Sequence, residues 1–107
     1  NANPSSMKAA IENFAKMDGP EKVLMLGGMM ELGKESLQEH QQLIDLIKKH
    51  PWDHVVLVGG DFNKVHHPYL YIDTAAMAGD WYKNQHFKQT YILIKGSRSM
   101  MMEKILE

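Results

Sequence analysis

Apolar residues recur along this chain with two different periods. In the first stretch, Met7, Ile11 and Phe14 are spaced by three or four positions and fall on one face of a helix. A second helical stripe is formed by Leu37, His40, Leu43, Ile44 and Ile47. Three other stretches are continuous apolar runs that end in glycine, at residues 22–28, 54–60 and 90–96. Runs without apolar–polar alternation are typical of strands buried on both faces of a parallel sheet.

The predicted helices and strands alternate along the chain. Their order is helix, strand, helix, strand, strand, helix, strand, helix, with the third strand over 69–72 and the last helix over 97–107. This order predicts an α/β fold with three layers and a mostly parallel, Rossmann-like sheet, formed as a single domain over residues 1–107. Because a helix in such a fold normally follows a strand, we expect a further strand upstream of Asn1.

Polar residues mark the predicted starts of three helices. Asn3 can serve as an N-cap, with Pro4 at the first helical position. Ser36 and Glu39 have the spacing of a capping box. Two adjacent residues can cap the third helix, namely Asp73 and Thr74.

The composition excludes several classes of protein. The 107 residues carry a formal net charge of −1, which does not provide the basic footprint of a nucleic-acid-binding surface. The chain contains no cysteine and therefore has neither disulfides nor thiolate metal ligands. No apolar run approaches the roughly 18 residues that a membrane span needs. We expect a monomeric cytoplasmic protein that binds neither nucleic acid nor membrane, with its nine methionines serving as adaptable core residues.

The clearest candidate site lies at the end of the last predicted strand. Lys95, Gly96, Ser97 and Arg98 stand where this strand gives way to the last helix. Ligands of open α/β sheets bind beyond the carboxyl ends of the strands. A helix N-terminus with an ammonium, a guanidinium and a hydroxyl group suits a carboxylate or a phosphate. A solvated lysine, a surface ion pair and a serine N-cap would also account for these residues, and both interpretations stay open.

Other residues give weaker signals. Glu31 follows the first strand and could face a ligand or bond to the backbone of a turn. His40 lies on an apolar helix face, where a hydrogen-bonded core histidine is favoured. Glycines at three strand ends either admit a ligand or make tight turns. The six histidines lack the spacing of a zinc site, and no G-x-x-x-x-G-K-[ST] phosphate loop occurs, so neither a metal site nor a complete catalytic set is predicted.

Three stretches together resemble one family. "NANPSSM", "LGGMMELGKESLQEH" and "LIKGSRSMMMEKILE" are similar, in this order, to the C-terminal domain of the Mur ligases. The resemblance is greatest to the members that add D-alanyl-D-alanine, and it covers nearly the whole chain. It implies that residues 1–107 are one domain of a longer, three-domain bacterial ligase of peptidoglycan precursor synthesis and are inactive alone.

The resemblance also implies a reaction. ATP would phosphorylate the terminal carboxylate of UDP-N-acetylmuramoyl-tripeptide, and the amine of D-alanyl-D-alanine would displace the phosphate to form a peptide bond. ATP and Mg²⁺ would be bound mainly by a central domain that carries the phosphate loop. The C-terminal domain would close over the site and contact the nucleotide and the incoming dipeptide.

Site residues follow from the resemblance position by position. The nucleotide side would involve Asn1, Asn3 and Pro4, which an Asp-x-Tyr segment precedes in the family. The substrate side would involve Glu31, His40, Lys95, Gly96, Ser97 and Arg98. One departure is Gly28, where family members usually have Asp, so any role of that acid is lost or moved.

Two other hypotheses compete with the ligase. The chain could be a stand-alone α/β nucleotide- or anion-binding module without catalysis, or an interaction domain that uses the fold only as a scaffold. A phosphate loop upstream in the intact reading frame would favour the ligase, whereas a start codon close to Asn1 would favour the module.

Overall fold

The four strands form one sheet in which all neighbours run parallel. The computed structural model describes residues 2–107, and its sheet has the strand order β3-β2-β1-β4. The strands are β1 (Lys22–Gly27), β2 (His54–Val58), β3 (Leu70–Ile72) and β4 (Tyr91–Lys95). The parallel α/β sheet predicted from the continuous apolar runs is therefore confirmed. The strand expected upstream of Asn1 lies outside the described residues.

Helices cover both faces of this sheet. The three α-helices are α1 (Pro4–Ala15), α2 (Ser36–Ile47) and α3 (Ala75–Gln85). Alternate residues of β1 point to opposite faces. Leu24 and Leu26 contribute to the core under α1 and α2, whereas Val23 and Met25 contribute to the core under α3. This arrangement confirms the three-layer architecture.

Helix α1 begins where its sequence predicts. The Asn3 side-chain oxygen accepts a hydrogen bond from the Ser6 backbone N–H at 2.9 Å, and the Asn3 backbone N–H donates to the Ser6 hydroxyl at 3.0 Å. Pro4 occupies the first helical position. At the other end, the Lys22 Nζ donates to the carbonyl oxygens of Ala15 and Met17. These bonds satisfy backbone groups that the two ends of a helix leave unpaired.

Helix α2 does not begin with the predicted capping box. A 3₁₀ turn, Gly33–Glu35, leads directly into Ser36, and the helix has no side-chain cap. The Ser36 hydroxyl donates instead to Asp61, which belongs to the segment after β2. The predicted apolar face is also wrong at Leu37, which is 47% exposed, while Leu46 is buried.

The predicted last helix is wrong as well. The chain forms two short 3₁₀ turns, Arg98–Met100 and Met102–Leu106, separated by Met101 with a left-handed φ of 53°. Met102 and Ile105 are buried, and their spacing of three suits a helix with three residues per turn. Strand β4, predicted to be buried, is an edge strand of the described sheet and is only half-buried along most of its length.

Candidate functional site

The carboxyl ends of all four strands lie along one edge of the sheet, because the strands are parallel. We call this the carboxyl edge; it comprises the segments 27–36, 59–65, 73–74 and 95–102. In the strand register, Leu26 pairs with Lys95 of β4, and Gly27 pairs with Val58 of β2. The topology therefore brings the candidate residues that follow β1 and β4 to adjacent strand ends.

Glycines at this edge allow the loops to contact one another. A Cβ atom added to Gly28 would lie 2.8 Å from the Gly60 Cα, and one added to Gly96 would lie 3.0 Å from the Gly27 Cα. A Cβ atom on Gly27 would also lie 2.9 Å from the Met102 sulfur. Close backbone packing thus explains these glycines without a ligand.

Two cationic side chains lie at the end of β4. Lys95 is its last residue and is half-buried, while Arg98 is exposed three residues further on. Ser97 between them is 4% exposed, and its hydroxyl lies 3.1 Å from the Ser99 hydroxyl. The 3₁₀ turn that follows has only three residues, so the predicted helix N-terminus is not present here. Any anion binding must therefore come from the two cationic side chains and nearby backbone groups.

Glu31 occupies an unusual backbone conformation in the segment after β1. Its φ of 63° places it in the left-handed region, which costs a residue with a side chain roughly 1–2 kcal/mol. The side chain is exposed and forms no hydrogen bond or ion pair with the rest of residues 2–107. Of the two roles considered for this acid, bonding to a turn is thus not observed, and the carboxylate is available to a ligand.

His40 is buried, with both ring nitrogens engaged. Its Nε2 accepts a hydrogen bond from the Met29 backbone N–H at 3.0 Å. Its Nδ1 lies 2.7 Å from the Ser36 carbonyl oxygen and 3.2 Å from the Ser36 hydroxyl. The edge of the ring meets Phe62, with 4.7 Å between centroids. His40 is therefore the hydrogen-bonded core histidine, and the direct substrate contact carried over from the family resemblance is not open to it in this geometry.

Asp61 and Ser36 complete the polar network around His40. The Ser36 hydroxyl donates to the Asp61 Oδ2 at 2.7 Å, and Lys64 lies 3.5 Å from the other carboxylate oxygen. The Ser36 hydrogen bond holds the pKa of Asp61 below its usual value, with partial burial opposing it and Lys64 contributing. The helical spacing of Ser36 and His40 could have indicated that they meet, whereas nothing in the sequence pointed to Asp61.

The structure describes two of the three residues predicted to contact the nucleotide. Asn1 lies outside the described residues. Asn3 is exposed at the start of α1 and uses its side-chain oxygen for the helix cap, which leaves its amide nitrogen for a ligand. Pro4 is half-buried beside it.

In residues 2–107, no cluster of three or more His, Cys, Asp or Glu side chains could hold a metal ion. The described chain also has no helix long and apolar enough to cross a membrane.

These features define an α/β domain whose candidate ligand-binding groups lie at the carboxyl ends of parallel strands. Residues 1–99 match the family described as Mur ligase, glutamate ligase domain, and the chain belongs to this family.

Individual relatives give a more specific comparison within this family. The chain is 36% identical over 118 residues to the UDP-N-acetylmuramoyl-tripeptide–D-alanyl-D-alanine ligase of Escherichia coli (strain K12), covering 99% of the chain and 24% of that protein. It is 32% identical to the enzyme of the same name from Rickettsia prowazekii (strain Madrid E), covering 100% of the chain and 25% of that protein. The chain therefore spans about a quarter of the length of these relatives.

Solved structures agree with this placement. The MurF ligase from Thermotoga maritima, in complex with ADP, superposes with a TM-score of 0.77 at 24% identity, covering 99% of this chain and 25% of that one. At this identity the match shows the fold alone. A MurF structure from Acinetobacter baumannii gives a TM-score of 0.74 at 30% identity, with the same coverage of 99% and 25%.

Proposed function

We propose that this chain is the C-terminal domain of an ATP-dependent ligase that joins D-alanyl-D-alanine to UDP-N-acetylmuramoyl-tripeptide in the bacterial cytoplasm. The observation that carries the proposal is the match over the whole chain, at 31–36% identity, to relatives that share this activity in their name. Because the chain spans only about a quarter of their length, we infer that it supplies part of the site and is inactive alone.

The incoming dipeptide carries a carboxylate at one end and an amine at the other. Lys95 and Arg98 suit the carboxylate, since a guanidinium can bind it with two parallel hydrogen bonds. Glu31 suits the amino end, because its exposed carboxylate has no partner among residues 2–107. Binding both ends would orient the amine toward the activated carboxylate of the tripeptide.

Nucleotide would contact this domain near the start of α1. ATP, when bound, supplies the phosphoryl group that activates the tripeptide carboxylate. The exposed amide nitrogen of Asn3 and the ring of Pro4 would border the nucleotide. Mg²⁺ would be held by residues outside this chain, since residues 2–107 bring together no set of acidic or histidine ligands.

The coding sequence upstream of Asn1 tests the proposal against the stand-alone module. The ligase requires an Asp-x-Tyr segment directly before Asn1 and a G-x-x-G-K-[ST] phosphate loop further upstream. A start codon close to Asn1, with no phosphate loop, would overturn the ligase assignment. The isolated chain would then be titrated with nucleotides and dipeptides, with Lys95 and Arg98 as the expected binding residues.

A further inference from the structure

The buried imidazole of His40 connects α2 to the segment after β1 through two hydrogen bonds, which we call the bridge. Because Nε2 accepts from the Met29 backbone N–H, the ring proton of the neutral form must reside on Nδ1. That proton is donated to the Ser36 carbonyl oxygen at 2.7 Å. Both hydrogen bonds lie in the protein interior, where leaving one of the groups unpaired is costly.

This bridge meets the backbone two residues before Glu31. Met29 is buried, but Met30 is 44% exposed and Glu31 is exposed with a positive φ. Two hydrogen bonds hold the backbone just before this point, one from Gly28 to the Val58 carbonyl oxygen and one from Met29 to His40. The second is the nearer of these two to the strained acid, and on the other side of Glu31 the Leu32 carbonyl oxygen accepts from the Glu35 backbone N–H at 3.3 Å.

Ser36 connects the same bridge to the segment after β2. Its hydroxyl donates to Asp61, and its carbonyl oxygen accepts the His40 proton. The network therefore joins the N-terminus of α2 to two of the segments that form the carboxyl edge. A shift of the imidazole would move the Met29 backbone and, with it, the part of the edge that carries Glu31.

We propose that His40 is a positioning residue for the ligase reaction, holding Glu31 through the Met29 amide where the amino end of the incoming dipeptide binds. The assignment rests on the proposed function. His40 does not contact substrate, because its ring is buried and both nitrogens are engaged. Its replacement therefore affects binding of the dipeptide and leaves binding of ATP unchanged.

Two substitutions of similar polarity, His40→Gln and His40→Asn, test separately the two hydrogen bonds of the imidazole, one with Met29 and one with Ser36. In His40→Gln, the side-chain carboxamide reaches the position of Nε2 and can accept from the Met29 N–H. In His40→Asn, the carboxamide ends near the position of Nδ1, where it can donate to the Ser36 carbonyl but falls short of Met29. A residue with a purely structural role would be sensitive to both changes alike.

The variants are made in the intact protein that contains this chain. The KM for D-alanyl-D-alanine and the KM for ATP are measured, together with hydrogen–deuterium exchange of the amides at 28–32. For His40→Asn we expect the dipeptide KM to rise about tenfold, or about 1.4 kcal/mol, with an unchanged ATP KM and faster exchange at Met29. For His40→Gln we expect the dipeptide KM to stay within about threefold of wild type, a difference of less than about 0.7 kcal/mol.

Equal dipeptide KM values and equal exchange in the two variants would overturn the assignment. Glu31→Gln, which leaves the core intact, provides a second test: an unchanged dipeptide KM in this variant contradicts the proposal even where a His40 variant does not fold. A wild-type protein without D-alanyl-D-alanine-adding activity would overturn the proposed function and the substrate part of this inference. Faster Met29 exchange confined to His40→Asn would still establish that His40 holds the segment.

Discussion

Arg98 is the residue on which the anion-binding hypothesis depends most directly. In the intact protein, we expect Arg98→Ala to lower turnover on D-alanyl-D-alanine at least tenfold, which corresponds to about 1.4 kcal/mol of transition-state stabilisation. Steady-state kinetics at saturating ATP provides the measurement. Lys88→Ala is the matched control, because Lys88 is an exposed cation that precedes β4 and lies at the opposite end of the strand. Wild-type kinetics in Arg98→Ala would remove the proposed role.

Asp61 should make the stability of the domain sensitive to acid. Its pKa in the folded protein is lowered from the usual 3.8, mainly by the Ser36 hydroxyl. A lowered folded pKa means that the stabilisation is fully present above the unfolded pKa and is lost as the pH falls through the folded pKa. The difference in free energy of unfolding between wild type and Asp61→Asn should therefore shrink below about pH 4. A difference that stays constant from about pH 6 to about pH 3 would contradict this.

Gly28 is constrained by the close approach of two backbones. A Cβ atom there would lie 2.8 Å from the Gly60 Cα and 3.0 Å from the Gly59 carbonyl oxygen. We expect Gly28→Ala to lower the free energy of unfolding by about 1–3 kcal/mol, as overpacking does elsewhere. Denaturant titration measures this, with Gly33→Ala as control.

Gly33→Ala measures the cost of left-handed backbone strain alone, whereas Gly28 has no positive φ and its replacement carries the steric cost alone. Gly33 has a φ of 61° but no atom within 4 Å of an added Cβ, so its replacement costs only the left-handed strain, roughly 1–2 kcal/mol. A free energy of unfolding in Gly28→Ala equal to that of wild type would contradict the steric argument. For the same reason, an Asp at position 28, which the family resemblance leads us to expect, would require the segment after β2 to shift.

At the scale of single elements, helix α1 combines a structural and a proposed binding role in Asn3. Asn3→Ala should lower the free energy of unfolding by about 1 kcal/mol, because the cap to Ser6 is lost. Asn3→Ser keeps a capping oxygen but removes the carboxamide, so we expect near wild-type stability and a raised KM for ATP. An ATP KM unchanged in Asn3→Ser would show that the amide does not contact nucleotide.

The helices and strands that could be predicted are those whose formation depends on their own residues and not on contacts with distant parts of the chain. The apolar runs of β1 and β2 identified buried parallel strands, and Asn3 with Pro4 identified the start of α1. The capping box of α2 failed because Asp61, 25 residues away, accepts the Ser36 hydroxyl hydrogen bond instead. The prediction of the last helix failed because Met101 adopts a left-handed φ of 53°, which divides the segment into two 3₁₀ turns and is uncommon for a methionine.

The candidate site was predictable to the extent that topology determines it. Parallel strands place Glu31 and Lys95 at the same edge once the strand order is known. The burial of His40 followed from its position on an apolar helix face, whereas its bond to Met29 depends on a loop conformation that carries no sequence signal. The left-handed φ of Glu31 was also unpredictable, because that conformation is uncommon for a glutamate.

At the scale of the whole molecule, we expect the chain to supply only part of a catalytic site. It contains no phosphate loop, and its described residues bring together no metal ligands. It spans about a quarter of the relatives that it matches. We therefore expect the domain to act by closing over substrates bound elsewhere in a longer protein, which excludes water and completes the site.

The most direct measurement is the amine specificity of the intact protein that contains this chain. It would be incubated with UDP-N-acetylmuramoyl-tripeptide, ATP and Mg²⁺, and with D-alanyl-D-alanine, D-alanine or D-glutamate in turn, and the products would be weighed by mass spectrometry. We predict an ATP-dependent product that has gained D-alanyl-D-alanine, formed with release of phosphate, and little product with either single amino acid. No product with the dipeptide, or a preference for a single amino acid, would contradict the proposed function.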